Sequence, residues 1–292
     1  MTDTLLRVDN LTVSFPTRTG VFEAVRDISF SLGRERLGIV GESGSGKSMT
    51  GRSILRLIQK PGLIDAKQIS LHGENLLEFS EKDMRKVRGH RISMIMQDPK
   101  FSLNPVMKIG DQITEGYRLH KKISKAEART ASLEMLDAVL IRDPERVYNA
   151  YPHEMSGGMG QRIMIAMMLI PGPEILIADE PTSALDVTVQ KEVLEIMDRL
   201  VRERGMGLIF ISHDLQLVSA FCDRILIMYG GRIVETCRAD RLQDATHPYT
   251  RGLLNSMPQL AYPRPHLEVL ARDDAWRDQP SVSGHLEASD VP

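Results

Sequence analysis

Cysteine is scarce in this chain: there are two, Cys222 and Cys237. They stand far apart without metal-ligand spacing, which fits a reducing compartment and excludes a disulfide framework. An excess of positive charge is also missing. The formal net charge is −2, so there is no basic footprint for nucleic acid or for an anionic membrane surface. Long apolar runs are absent too. The most apolar stretch, "IMIAMMLIPGPEILIA", is broken by Pro171, Gly172, Pro173 and Glu174, and is too short to span a bilayer. The opening "MTDTLLRVDN" shows no basic segment followed by an apolar core, so no signal peptide is expected. If the chain works at a membrane, a partner must hold it there.

What is present is ordinary for a globular protein. Hydrophobic residues make up 42% and charged residues 26% of 292 residues, enough for one large domain or a domain with a subdomain. Val8 to Phe15 alternates loosely, and Ile28, Phe30 and Leu32 alternate cleanly, predicting half-buried antiparallel strands. "RLGIVG", "RISMIM", "EILIAD", "GLIFIS" and "RILIMY" are instead short continuous apolar runs, the pattern of strands buried on both faces. "YGGR" signals a hairpin turn before the strand "RIVE". Helical segments alternate with these runs. The clearest is "VTVQKEVLEIMDRLVRER", with Val189, Val193, Ile196, Met197 and Leu200 on one face. The alternation predicts an α/β domain with a mainly parallel sheet, an antiparallel β portion, and a helical subdomain inserted at about 100–165. The segment "RDQPSVSGHLEASDVP" has little apolar content and is expected to be disordered.

Gly41-Glu42-Ser43-Gly44-Ser45-Gly46-Lys47-Ser48 fits G-x-x-x-x-G-K-[ST] between a buried strand and an apolar-faced helix. Glycines let the backbone wrap around phosphates with N–H groups inward, and the following helix aims its positive end at the same anion. Lys47 can reach β- and γ-phosphates and Ser48 can ligate Mg²⁺. "ILIADEP" is an apolar strand ending in two carboxylates. Asp179 suits a second Mg²⁺ anchor, and Glu180 stands where it can polarise an attacking water. Gln97 in "MIMQDP" and His213 in "LIFISHD" close two further strands, at the ends where open parallel sheets bind ligands. A second glycine-based anion feature lies far downstream. Ser156-Gly157-Gly158 in "YPHEMSGGMGQR" offers a hydroxyl, free N–H groups and a helix dipole.

Taken in order, "GESGSGKS", "MIMQDP", "MSGGMGQR", "LIADEPTSALD" and "FISHD" resemble the Walker A, Q-loop, signature, Walker B with D-loop, and switch histidine of ABC transporter nucleotide-binding subunits. The resemblance covers about residues 5–260. It implies a RecA-like P-loop NTPase core and an ABC domain over 1–262, with a C-terminal extension over 263–292. It also implies head-to-tail pairing, in which Ser156, Gly157 and Gly158 of one cassette close over the γ-phosphate of ATP held by the other. By the same resemblance, residues 41–48 bind phosphates, while Ser48, Gln97 and Asp179 serve Mg²⁺. Glu180 is the base, His213 contacts the γ-phosphate, and Asp186 of "SALD" communicates across the dimer. Phe15 resembles the aromatic that stacks on adenine, with Phe22 as a rival. The helical subdomain is where the family meets its permease. Gly160 departs from the basic or polar residue common at that position, and glycine inside a helix costs about 1 kcal/mol relative to alanine, so some fraying is expected.

"VGESGSGKS", "QDPKFSLNP", "YPHEMSGG", "DEPTSALDVTVQ" and "HPYTRGLLNSMP" resemble more narrowly the dipeptide, oligopeptide and nickel importer ATPases. The most distinctive is His247-Pro248-Tyr249-Thr250, within a C-terminal segment at about 236–262. That segment also reads as a helix entry which Thr246 could cap. Many members of that subfamily carry a cysteine-rich tail suited to an iron–sulfur cluster. With no cysteine after Cys237, no cluster is expected here. The resemblance implies ATP and Mg²⁺ as cofactors. The implied partners are a second ATPase subunit, identical or related, and transmembrane permease subunits, with an extracytoplasmic solute-binding protein acting indirectly. The implied location is peripheral, on the cytoplasmic face of the inner membrane. A soluble ABC-type ATPase acting on nucleic acid or ribosomes is the alternative. The inserted coiled coil, zinc modules or second cassette of such proteins are not seen in the sequence.

Overall fold

The computed structural model describes residues 4–97, 102–183, 185–256 and 273–285. Residues 98–101 of "QDPKFSLNP", Ala184 of "SALD", the end of the C-terminal segment at 257–262 and the final residues of the tail lie outside the described residues. Along the chain the strands are β1 (Leu6–Thr17), β2 (Gly20–Leu32), β3 (Arg36–Val40), β4 (Leu63–Asp65), β5 (Gln68–Leu71), β6 (Glu74–Asn75), β7 (Ile92–Ile95), β8 (Ile175–Asp179), β9 (Gly207–Ser212), β10 (Arg224–Tyr229) and β11 (Arg232–Arg238). The chain divides into two compact bodies, Met1–Phe79 with Ile209–Pro292, and Ser80–Leu208.

In the first body, β1 and β2 pair antiparallel with Val8 opposite Phe30, Leu11 opposite Ile28 and Val13 opposite Val25. All six side chains are buried, so the alternation seen in the sequence is the core face of this sheet. The alternation is loose because the ladder shifts register between Val8 and Leu11 and again before Val13. At the first shift Asn10 takes a φ of 52°. Its side-chain amide donates to Asp27, itself at φ 49°, at 2.8 Å, which holds the bulge. The order is β2-β1-β5-β6 with β4 also beside β1. A second run of strands in this body begins β11-β10-β3-β9, with β10 parallel to β3 and antiparallel to β11. Gly230 and Gly231 turn the β10–β11 hairpin at φ 55° and 87°, as the glycine pair predicts.

The expected disorder of "RDQPSVSGHLEASDVP" does not describe residues 277–285. Gly284 bridges to Phe30, its N–H donating to Ser29 at 2.8 Å and its carbonyl accepting from Ser31 at 3.3 Å, and Val282 N–H donates to Ile233 at 2.8 Å. A Cβ on Gly284 would stand 2.8 Å from Leu226 and 2.9 Å from Phe30, so the close fit itself requires glycine. Backbone pairing holds this segment, and a low apolar content does not reveal backbone pairing.

In the second body, β7 and β8 pair parallel, Ile92 opposite Ile175 through Ile95 opposite Ala178, and every residue of both strands is buried. The helices Ile109–His120, Lys125–Ala138, Pro144–Asn149, Gly157–Leu169 and Val187–Arg204 belong to the same body. Their ends follow local chemistry. Ser124 and Glu127 form a reciprocal capping box. Val187–Arg204 starts on the Asp186 carboxylate and stops at Gly205, φ 58°. Of its predicted apolar face, Val193, Ile196, Met197 and Leu200 are buried. Among the described residues no helix is long and apolar enough to cross a membrane.

Candidate functional site

The phosphate-loop sequence leaves β3 at Val40 and feeds the helix Lys47–Ile54. Its glycines have separate reasons to be glycine. A Cβ on Gly41 would lie 2.2 Å from the Met228 carbonyl oxygen. Gly46 sits at φ 101° with its Cβ position 2.5 Å from the Ala24 carbonyl. Gly44 has φ 82° and open space around it. Ser43 and Gly44 are exposed at the loop's rim, while Ser45 and Lys47 are only 4% and 5% exposed. The buried Lys47 ammonium donates to the Gly41 carbonyl at 2.7 Å, the Glu42 carbonyl at 2.8 Å and the Ser45 hydroxyl at 3.5 Å. These three acceptors are neutral, so they satisfy N–H donors of the buried ammonium without cancelling its charge. The helix Lys47–Ile54 has no side-chain cap and no acidic residue in its first turn. Ser80, Ser124, Asp143, Ser156, Asp186 and Asp214 cap other helices of the chain. An uncapped helix start beside a buried lysine is the donor set that nucleotide phosphates require.

In the second body, β8 delivers Asp179, 2% exposed, as its last residue. Glu180 follows with a φ of 48°, an uncommon left-handed conformation for a non-glycine residue. Such strain persists where the surroundings fix a side chain for a purpose. The Gln97 side-chain amide donates to the Glu180 carboxylate at 3.0 Å, so two residues chosen separately from the sequence meet in space. Ser156 caps the helix Gly157–Leu169, its hydroxyl accepting from Met159 N–H at 3.4 Å. The two glycines after it differ. A Cβ on Gly158 would come 2.7 Å from Val189, whereas one on Gly157 would meet nothing within 4 Å. Among the described residues no neighbour crowds position 157 into being glycine.

The ABC transporter domain family matches residues 25–183 of this chain. The oligopeptide transport ATP-binding protein OppD of Bacillus subtilis is 50% identical over 259 residues, covering 88% of this chain and 72% of that protein. This chain belongs to the ABC transporter ATP-binding family. OppD of Escherichia coli is 48% identical over 260 residues, 88% of this chain and 77% of that protein. Among solved structures, the dimeric post-hydrolysis state of the ATP-binding cassette MJ0796 bound to ADP and Pi superimposes with a TM-score of 0.72. It is 24% identical, covers 80% of this chain and 99% of that one, and shows the shared P-loop NTPase fold.

The remaining motif residues of this ABC ATPase take definite local places. Asp186 accepts N–H groups of Thr188 and Val189 at 3.1 and 3.0 Å, a helix-capping role that the sequence reading did not include. His213 is exposed just after β9, before the cap residue Asp214. Gly160 is buried, and its N–H donates to the Ser156 carbonyl at 2.9 Å, so the helix runs through it. Phe15 and Phe22 face each other across β1 and β2. Phe22 is 56% exposed, while Phe15 packs so closely on Gly62 that a Cβ there would lie 2.6 Å from its ring. Thr246 does not act as a lone cap: its N–H and hydroxyl both donate to Glu235, at 2.6 and 3.2 Å. One participant was not legible. The Tyr249 hydroxyl accepts from the Glu42 N–H of the phosphate loop at 3.1 Å. "HPYT" marked the segment as distinctive without indicating what it touches.

Proposed function

We propose that this ABC ATPase powers import of peptides through a membrane permease. The observation that carries the proposal is the 50% and 48% identity to two oligopeptide transport ATP-binding proteins across 88% of the chain. The same relatives weigh against the reading as a soluble nucleic-acid or ribosome ATPase. In the proposed cycle, Lys47 and the loop amides of residues 41–48 hold the phosphates of ATP. Ser48, Gln97 and Asp179 supply the oxygen donors that suit Mg²⁺, which screens charge on the phosphate oxygens when bound. Glu180 takes the proton of the attacking water, and His213 stabilises the terminal phosphate. Phe15, with Phe22 as rival, stacks on the base. Ser156, Gly157 and Gly158 complete the site of a second, facing cassette, with Asp186 at that junction. The chain then sits on the cytoplasmic side of the membrane, held by permease subunits that an external solute-binding protein supplies.

Uptake of a radiolabelled tripeptide by cells lacking this chain tests the reading. Loss of uptake, restored by the wild-type chain but not by Lys47→Ala, is the expected result. Full uptake without the chain would reject it.

Gly157 gives a second test, of the composite site. Gly157→Ala should leave thermal stability unchanged or slightly raised, because the added methyl enters open space on a helix. ATP turnover should fall about tenfold or more, because the methyl stands where the facing cassette's phosphate must approach the helix start. Unaltered turnover in the intact transporter would remove Gly157 from the site.

A further inference from the structure

We propose that Tyr249 is a positioning residue for the phosphate loop, a role that rests on the nucleotide-binding reading above. Gly41 C=O and Glu42 N–H belong to one peptide unit. Its oxygen accepts from the Lys47 ammonium at 2.7 Å and its N–H donates to the Tyr249 hydroxyl at 3.1 Å. A trans peptide is planar with these two groups pointing in opposite directions. The unit is therefore gripped at both ends, and the tyrosine sets the rotation of the plane on which the lysine rests. Gly41 has no Cβ to restrain that rotation, and glycine adopts more backbone conformations than any other residue. A bond from outside the loop supplies the missing restraint.

The tyrosine is itself well fixed. It is 0% exposed, its ring centroid lying 4.6 Å from that of Tyr229 and 6.2 Å from that of Trp276. Its own N–H donates to His247 Nδ1 at 3.2 Å. The Glu235 carboxylate on β11 accepts the N–H groups of Thr246 at 2.6 Å and His247 at 3.2 Å, which seats the start of the helix Pro248–Ser256. Trp276 packs edge-on against Tyr229 and His247, at 5.8 and 5.7 Å. Among the described residues, His247, Tyr249 and Trp276 thus form a cluster that meets the phosphate loop at the Tyr249 hydroxyl. It preorganises the loop, so binding spends less on ordering it.

Tyr249→Phe keeps the ring and removes the acceptor. Tyr229→Phe is the matched control, because the buried Tyr229 hydroxyl has no hydrogen-bond partner among the described residues. In the nucleotide-free full chain, the Glu42 amide of Tyr249→Phe should exchange with deuterium about tenfold faster than in wild type, matching loss of one partly buried hydrogen bond. Tyr229→Phe should leave it unchanged. By calorimetry, the Kd for ATP should rise about fivefold or more in Tyr249→Phe. In the assembled transporter KM should rise with it, while kcat at saturating ATP stays within about twofold, a split that a general loss of folding does not produce. Unchanged Glu42 exchange, equal effects from Tyr229→Phe, or an unchanged or tighter ATP affinity would each overturn the proposal. Failure of the wild-type chain to bind ATP would instead reject the nucleotide reading, and the exchange comparison would still judge the tyrosine.

Discussion

Glu180→Gln is expected to lower ATP turnover by at least about 100-fold while ATP still binds, because a positioned general base contributes about 10²–10⁴-fold. The replacement is isosteric and removes the proton-accepting charge alone. Glutamine can still take the Gln97 amide hydrogen bond on its own carbonyl oxygen, so the 3.0 Å contact survives. The left-handed backbone at φ 48° is shared by both residue types and adds no new strain to the variant. Phosphate release measured on the assembled transporter, with ATP affinity measured in parallel, separates the two effects. With the isolated chain, ATP-bound pairs should accumulate, visible as a doubled mass in light scattering, since turnover no longer dissolves them. A variant that hydrolysed ATP within a fewfold of wild type would move the base elsewhere.

Glu35→Ala should destabilise the fold by about 3–5 kcal/mol, the cost of leaving a buried charge without its partner. The stranded charge is Arg224, 2% exposed at the start of β10. Its guanidinium donates to the Glu35 carboxylate at 2.7 and 3.2 Å. It donates also to the carbonyls of Ser31 and Gly284, each at 2.5 Å. Neutral carbonyls cannot replace the lost carboxylate charge, so the penalty persists in the variant. The double replacement Glu35→Ala with Arg224→Met should recover much of the loss, because no buried charge then remains. Urea midpoints of wild type, single and double variants measure this. Trp276 fluorescence reports whether the tail anchored through Gly284 leaves with it. A single variant within about 1 kcal/mol of wild type would show that water reaches Arg224, contrary to its burial.

Much of the candidate site was readable because the chemistry proposed for it is local. A phosphate cradle needs its glycines, lysine and serine on consecutive residues, and a strand must end on the carboxylate it presents, so Gly41–Ser48 and Asp179–Glu180 stand out without any structure. The hydrophobic period likewise exposed β1, β2 and the buried strands. It could not show the bulge at Asn10 and Asp27, where an added residue slips the register. Nor could it separate Gly157, with open space at its Cβ position, from Gly158, which is crowded by Val189.

Hydrophobic periodicity and the phosphate-loop motif marked a nucleotide-handling α/β protein, and the resemblance of five ordered motifs marked the ABC kind, because short contiguous segments carry those signals. Folding decided the rest. It set Tyr249 against Glu42 across a separation of 207 residues, gave Arg224 its carbonyl from the tail, and brought Gln97 to Glu180. Contacts of that sort depend on which distant elements come to lie side by side, and no spacing along a chain encodes that directly.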